Sequence, residues 1–252
     1  MINTLFTGKH LIHLPETAST NSYAGNYLAN SSPIDGTVIL TDSQTAGRGQ
    51  KGNSWYSEPC NSLTFSIIYR TDFLPATRQF DLNIAVSLAV VEALQSFGPA
   101  KNWSIKWPND ILAEQKKVAG ILIENTIQGS HLLYSIIGIG INVNQVSFPA
   151  ELPKAGSLSM AAGHNFDLHH VLGVVLGKIE ARFLQMKSGG IATMREKYQK
   201  LLFGRGEELA FRDNEGVFKG RISGVNEPGQ LLVLKGEQLV AYDMKQIEWL
   251  HI

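Results

Sequence analysis

Two β-branched runs, residues 37–42 and 63–69, flank about eighteen residues that carry neither helical nor strand periodicity. A connection that long inside a compact domain is uncommon, and belongs either to function or to a mobile segment. The remaining periodic segments limit what can surround it. Residues 11–14, 104–107, 120–127 and 132–138 read as strands, the last two joined by a Gly129-Ser130 turn. Residues 17–21 offer helix caps ahead of Tyr23, Ala24, Tyr27 and Leu28, which have helical spacing. Three longer helices are predicted. Residues 78–97 place Phe80, Ile84, Leu88, Val91 and Leu94 on one side and stop at the Gly98-Pro99 breaker; the others are 168–186 and 191–202. Strands that do not alternate regularly with helices predict an α+β fold, a mixed or antiparallel sheet with packed helices.

After Phe203 the texture changes. Residues 208–212, 217–225, 230–234 and 238–242 read as short strands separated by Asn214-Glu215-Gly216, Pro228-Gly229 and Gly236. That spacing predicts a small antiparallel barrel or half-barrel, and so two domains, 1–203 and 204–252. A piece that small is marginal alone and is expected to pack on the larger one.

Charge restricts the partners. Lys plus Arg and Asp plus Glu are each 22, with no dense basic run, which argues against nucleic acid. No apolar run approaches the roughly 20 residues of a membrane span, and residues 1–13 lack a secretory pattern. The single cysteine, Cys60, excludes an internal disulfide and fits a reducing cytoplasm. Cys60 has no evident base partner, and His10, His13, His169 and His170 lack companions at metal-ligand spacing, so no zinc site is expected.

Four segments carry chemistry. Residues 44–52, QTAGRGQKG, combine glycines that let backbone N–H groups approach an anion with the charges of Arg48 and Lys51. The alternative is a surface loop with incidental basic residues. Lys106-Trp107-Pro108-Asn109-Asp110 follows a strand, and Pro108 turns the chain so that an amide and a carboxylate stand beside a lysine. A plain Asn-Asp turn would look the same. In Lys116-Lys117-Val118-Ala119-Gly120-Ile121-Leu122-Ile123-Glu124 a lysine precedes a buried strand, where it can be aimed at an anion or remain solvated. Gly138-Ile139-Gly140-Ile141-Asn142-Val143-Asn144 begins like a dinucleotide fingerprint, but it lacks the third glycine and a following helix. Its glycines instead mark a bulge or a close ligand approach, leaving Asn142 as a polar contact.

Ser19-Thr20-Asn21, the GRGQKG loop, KWPND, KKVAGIL and GIGINVN occur in that order across residues 11–202, and together they resemble the catalytic domain of biotin protein ligases. The resemblance implies a catalytic domain like those of class II aminoacyl-tRNA synthetases, a small C-terminal β-barrel, and ATP and Mg2+ as cofactors, with biotin as substrate. It also implies the partner, a biotin carboxyl carrier protein of a biotin-dependent carboxylase. Biotin would be activated as biotinyl-AMP and passed to a lysine of that carrier. Carried over residue by residue, Ser19, Thr20, Asn21 and Gln44 line the biotin end, and Arg48 and Gly49 wrap carboxylate and phosphate. Gln50 belongs to the same loop, and Trp55 covers biotin. Lys117 bridges the biotin carboxyl and the α-phosphate and, with Arg48, is the catalytic candidate. Lys106, Asn109, Asp110 and Asn142 fall on the ATP and magnesium side. Many relatives carry a basic residue where this chain has Gln50, which predicts a weaker hold on the adenylate. The pattern begins within about ten residues of Met1, leaving no room for the DNA-binding domain that some members carry. Two rivals stay open, a lipoate ligase and a non-catalytic biotin or biotinyl-AMP sensor, as does pairing of an exposed strand edge into a homodimer.

Overall fold

The computed structural model describes residues 3–98 and 102–250; Pro99 of the predicted breaker and the side chain of Lys51 lie outside the described residues. A seven-stranded sheet forms the frame. Its strands are β1 (Leu11–Thr17), β2 (Thr37–Gln44), β3 (Ser62–Arg70), β4 (Trp103–Lys106), β5 (Asp110–Ala113), β6 (Lys116–Gln128) and β7 (His131–Asn142), in the order β1-β2-β3-β7-β6-β5-β4. Only β1 and β2 pair in parallel, across α1 (Thr20–Asn30); the other neighbours are antiparallel. The sheet is therefore mixed, as the absence of regular alternation predicts.

The two faces of the sheet differ because side chains alternate along each strand. Phe65, Ile67, Ile137, Ile139 and Ile141 point into the main core, beneath α2 (Phe80–Gln95), α4 (Leu168–Lys187) and α5 (Ile191–Leu201). The opposite face is only partly covered. There α1 packs Ala24, with Tyr23, Tyr27 and Leu28, on Ile39, Ile68 and Ile136. Further along the same face Thr64, Ser66, Gly138, Gly140 and Gly120 meet in register and leave a trough. The short α3 (Leu158–Ala162) follows the segment that runs beside it.

Helix α2 is not one-sided. Leu82, Ala85, Val86, Ala89, Val90 and Ala93 are buried along with Ile84, Leu88, Val91 and Leu94 of the predicted stripe, and Phe80 is half-buried, because α2 lies between the sheet and both α4 and α5. A helix with partners all round has no need of a polar face. Buried Asp81, on its first turn, pairs with Arg78 at 2.9 Å and with Arg195 of α5. Arg195 also donates to the carbonyl oxygens of Asn226 and Glu227.

The C-terminal strands, β8 (Glu208–Asp213), β9 (Gly216–Val225), β10 (Leu231–Lys235), β11 (Gln238–Tyr242) and β12 (Glu248–Trp249), form an antiparallel sheet in the order β11-β10-β9-β8-β12. This corrects the predicted barrel: β11 and β12 lie at opposite edges and do not pair. Closure is unnecessary because the apolar face has other cover. Phe211, Ile222, Leu231, Val233 and Tyr242 belong to the same continuous core as the large sheet. Among the described residues no helix is long and apolar enough to cross a membrane.

Glu180 of α4 fixes the N-terminal segment, accepting the backbone N–H groups of Leu5, Phe6 and Thr7 at 2.6, 2.9 and 2.8 Å. Burial pushes its carboxyl up, but the three donors outweigh burial and hold it below the ordinary 4.5. A carboxylate held low in the folded state stabilises the fold above its unfolded value, and that contribution is lost as pH falls below about 4.5. Glu180→Gln should therefore melt below the unmodified chain at pH 7, with the gap narrowing as pH drops toward 3; denaturant melts across pH would measure it. A gap that stays constant with pH would contradict this account.

Candidate active site

The trough opens into a cavity of about 230 Å³. Its floor is made by glycines. A Cβ on Gly140 would lie 2.2 Å from the indole of Trp55, and one on Gly138 would lie 2.2 Å from Asn21 Oδ1. These positions need glycine for the close approach of another side chain, not for a turn.

Over the floor folds the long connection between β2 and β3. It is hydrogen-bonded to itself: Gly49 N–H donates to the Asn53 carbonyl at 2.7 Å and Trp55 N–H to the Gly47 carbonyl at 2.9 Å. A short 3-10 turn, Gln50–Gly52, forms its tip. Gly47 is required for this closure, since a Cβ there would sit 2.3 Å from the Trp55 carbonyl oxygen. The Trp55 ring lies against Gly120 and Gly140, with its Nε1 buried and without a partner.

One end of the cavity is hydrogen-bonding, and its charges, Arg48 and Glu124, are paired with each other. Ser19 caps α1, which places Thr20 and Asn21 on the first turn against the sheet. Ser66 Oγ donates to Asn21 Oδ1 at 2.6 Å and lies 2.8 Å from Thr20 Oγ1, and Gln44 Oε1 accepts from Thr20 N–H at 2.8 Å. Asn21 Nδ2 reaches Glu124 at 2.8 Å, and Glu124 pairs with Arg48 at 2.6 Å. A continuous chain of hydrogen bonds thus ties the loop's arginine to α1 and β3. The Arg48 head is engaged with Glu124 and with Ser22.

The other end is charged. Pro108 turns the chain between β4 and β5, and Asp110 opens β5 opposite Gly120. Lys117 Nζ lies 2.7 Å from Asp110 Oδ1 and 5.4 Å from the centre of the Trp55 ring. Its backbone is pinned on both sides: Lys117 N–H donates to the Lys154 carbonyl at 2.8 Å, and Gly156 N–H to the Lys117 carbonyl at 2.9 Å. The half-buried ammonium is therefore aimed from a fixed strand. Asn109 is held by Ile121, its Nδ2 donating to that residue's carbonyl.

Ser19, Thr20, Asn21, Gln44, Arg48, Gly49, Gln50, Trp55, Asn109, Asp110 and Lys117 line this one cavity. Lys106 and Asn142 do not. Lys106 lines a neighbouring space of about 350 Å³ with Asp110, Lys117 and Lys154. Burial lowers its ammonium, Lys117 and Lys154 add to the lowering, and Asp110 opposes it. Asn142 is buried with Nδ2 on the Gly156 carbonyl at 2.9 Å and its Oδ1 unpartnered. Sequence reasoning gave no role to Thr64, Met244 and Lys245, which line the cavity, or to Ser66 and Glu124, which hydrogen-bond to Asn21 in its lining. Met244 and Lys245 reach the cavity from the C-terminal sheet, and Lys245 adopts the left-handed φ of 73°. Among the described residues no three His, Cys, Asp or Glu side chains gather as metal ligands.

Comparison with known proteins bears on this arrangement. The model of the biotin/lipoate A/B protein ligase family matches residues 14–142. The bifunctional ligase/repressor BirA of Bacillus spizizenii is 35% identical over 235 residues, covering 92% of this chain and 71% of that protein. The biotin–[acetyl-CoA-carboxylase] ligase of Mycobacterium tuberculosis is 32% identical over 69% of this chain and 64% of its own length. Among solved structures, the biotin protein ligase of Aquifex aeolicus in complex with biotin and ATP superposes with a TM-score of 0.77 at 31% identity, covering 95% of this chain and 98% of that one. The family's match spans β2, β3 and β5 to β7, the strands that build the trough. This chain belongs to the biotin/lipoate A/B protein ligase family.

Proposed function

We propose that this chain is an ATP-dependent biotin protein ligase. Biotin's carboxylate oxygen attacks the α-phosphorus of ATP, pyrophosphate leaves, and biotinyl-AMP remains. The amine of a carrier lysine then attacks the acyl carbon and releases AMP.

The observation that carries this reading is the cavity's two unlike ends. The Thr20, Asn21, Gln44 and Ser66 cluster offers donors and acceptors suited to a ureido ring. A lipoyl dithiolane has no donor or acceptor to engage these groups, so it would forgo the pairing that a ureido ring makes. The charged end meets a carboxylate and a phosphate, both anionic, and Lys117 is the cation that offsets their repulsion as they approach. Asp110 pre-orients Lys117 and, with Asn109, supplies oxygen donors. One carboxylate is a donor set that suits a magnesium ion sharing its remaining positions with phosphate oxygens and water. When bound, magnesium would offset polyphosphate charge. Asn142, buried beside the cavity with its oxygen unpartnered, stays assigned to the ATP and magnesium side by the motif that carries it. The acceptor is the carrier protein of a biotin-dependent carboxylase.

Gln50 supplies no charge to the adenylate, and its Oε1 is buried without a partner. Gln50→Arg should slow release of biotinyl-AMP by about tenfold, the worth of one added charge-assisted hydrogen bond. A chase of labelled adenylate measures it, and an unchanged dissociation rate contradicts it.

The function is tested by incubating the chain with MgATP, biotin and an apo biotin carboxyl carrier domain, with lipoate in a parallel reaction. A carrier heavier by one biotinyl group, with biotin alone, is expected. Modification only with lipoate, or biotin binding without modification, would overturn the reading.

A further inference from the structure

A second cavity, of about 460 Å³, lies between the large sheet and the C-terminal sheet. Phe80, Trp107, Ile123 and Met244 give it apolar walls, and Asn125 and Asp243 give it polar ones. Its shape depends on Gly229: φ there is 101°, a Cβ would meet the Phe80 ring at 2.4 Å, and Trp107 Nε1 donates to the Gly229 carbonyl at 2.9 Å. This cavity joins the candidate active site, since Gln50, Pro108 and Met244 line both.

The two spaces differ in charge. Three cations, Arg48, Lys117 and Lys245, and one acid, Asp110, line the first, which is positive on balance. Among the described residues lining the second there is no lysine or arginine, and Asp243 is the one acid. At the junction stands Gln50, with Oε1 buried and unpartnered.

We propose that the second cavity admits the acceptor lysine of the carrier protein to the adenylate, an inference that rests on the biotin-ligase reading. Biotin and ATP are anions and suit a cationic cavity, whereas the acceptor arrives as a cation. Along the walls of the first cavity it would meet an excess of like charges, three cations against Asp110; along the second it meets an acid and neutral amides. A lysine's four-carbon stem covers apolar surface while its amine reaches beyond. The orphaned oxygen of Gln50 fits that amine and not the other substrates: carboxylate and phosphate oxygens only accept, while an amine N–H donates. Having shed a proton to water in the open crevice, the amine uses its lone pair to form the C–N bond to the acyl carbon. The bond from that carbon to the phosphate oxygen breaks, AMP leaves with the electron pair, and the second displaced proton passes to water.

The test is a charge series at Asn125 in the full chain, because this side chain lines the second cavity and not the first. Transfer from preformed biotinyl-AMP to an apo carrier domain is compared with biotin-dependent pyrophosphate–ATP exchange and with attack by hydroxylamine. Asn125→Lys should slow transfer about tenfold at low salt, and Asn125→Asp should speed it a few-fold, both effects shrinking as salt rises. Exchange and hydroxylamine attack should stay within about twofold in both, since neither brings a cation through the crevice. The gain from Asn125→Asp guards against a variant that merely misfolds, and Asp243→Asn should slow transfer independently. Transfer indifferent to charge at 125, or equal loss of exchange and transfer, would overturn the proposal while leaving the ligase reading intact. Absence of exchange in the unmodified chain would overturn that reading, and this proposal with it.

Discussion

Replacing Lys117 by alanine should lower biotin-dependent pyrophosphate–ATP exchange by about a thousandfold, or about 4 kcal/mol of barrier. The size follows from what the ammonium faces. Two anions must approach one another at the charged end, and the phosphorus centre gains negative charge as they do. Arg48 cannot fully substitute where it stands, because Glu124 and Ser22 hold its guanidinium. Lys117 is also fixed in advance by Asp110 and by backbone hydrogen bonds on either side, so little reorganisation is needed at the moment of reaction. Lys117→Arg should recover only part of the loss, since a planar fork does not replace a point charge at the same spot. Biotin binding, measured separately by calorimetry, should fall far less than exchange. A loss below tenfold would remove Lys117 from the catalytic role.

Asp81→Ala should destabilise the fold by about 3 kcal/mol, near the lower end for a broken buried ion pair. Asp81 is fully buried and holds Arg78 and Arg195 at once. Without it two guanidiniums face each other, relieved only by Glu227 at 3.6 Å and by carbonyl oxygens of the turn that follows β9. For a chain of this length the loss corresponds to a fall in Tm of about 10 °C. Activity should follow as well, because the same cluster ties the C-terminal sheet to α2 and α5, and that sheet carries Met244 and Lys245 to the cavity. Asp81→Asn, which keeps the shape but not the charge, should fall between. Thermal melts within a degree or two of the unmodified chain would contradict the cluster's role.

Much of the frame was legible because its signals are local. β2 and β3 announce themselves by β-branched runs, and the glycines and charges of residues 47–52 lie within one short segment. The four-residue β5 was not legible: it starts two residues after Pro108 and is too short to show a period. Thr64 and Ser66 did carry a signal, polar residues at alternate positions of an otherwise apolar strand, which marks a face turned toward something other than core. Glu124 carried none, since its meaning comes from Arg48, 76 residues away in the chain. Met244 and Lys245 depend on how the second sheet docks. Lys106 shows the converse. Its motif places it with the charged residues, and the fold sets it in the adjacent space, with its ammonium 5.4 Å from the centre of the Trp249 ring. The antiparallel C-terminal sheet, expected as a barrel or half-barrel, is open for a related reason. Strand spacing shows how many strands there are, but not whether the larger domain covers their apolar face.

Pyrophosphate–ATP exchange by the purified chain with magnesium, biotin and lipoate supplied separately, tests the central claim most directly. It isolates adenylate formation from the identity of the carrier. The account predicts exchange that requires biotin, is not supported by lipoate, and disappears in Lys117→Ala. Exchange with lipoate alone, or none with either while biotin still binds, would contradict it.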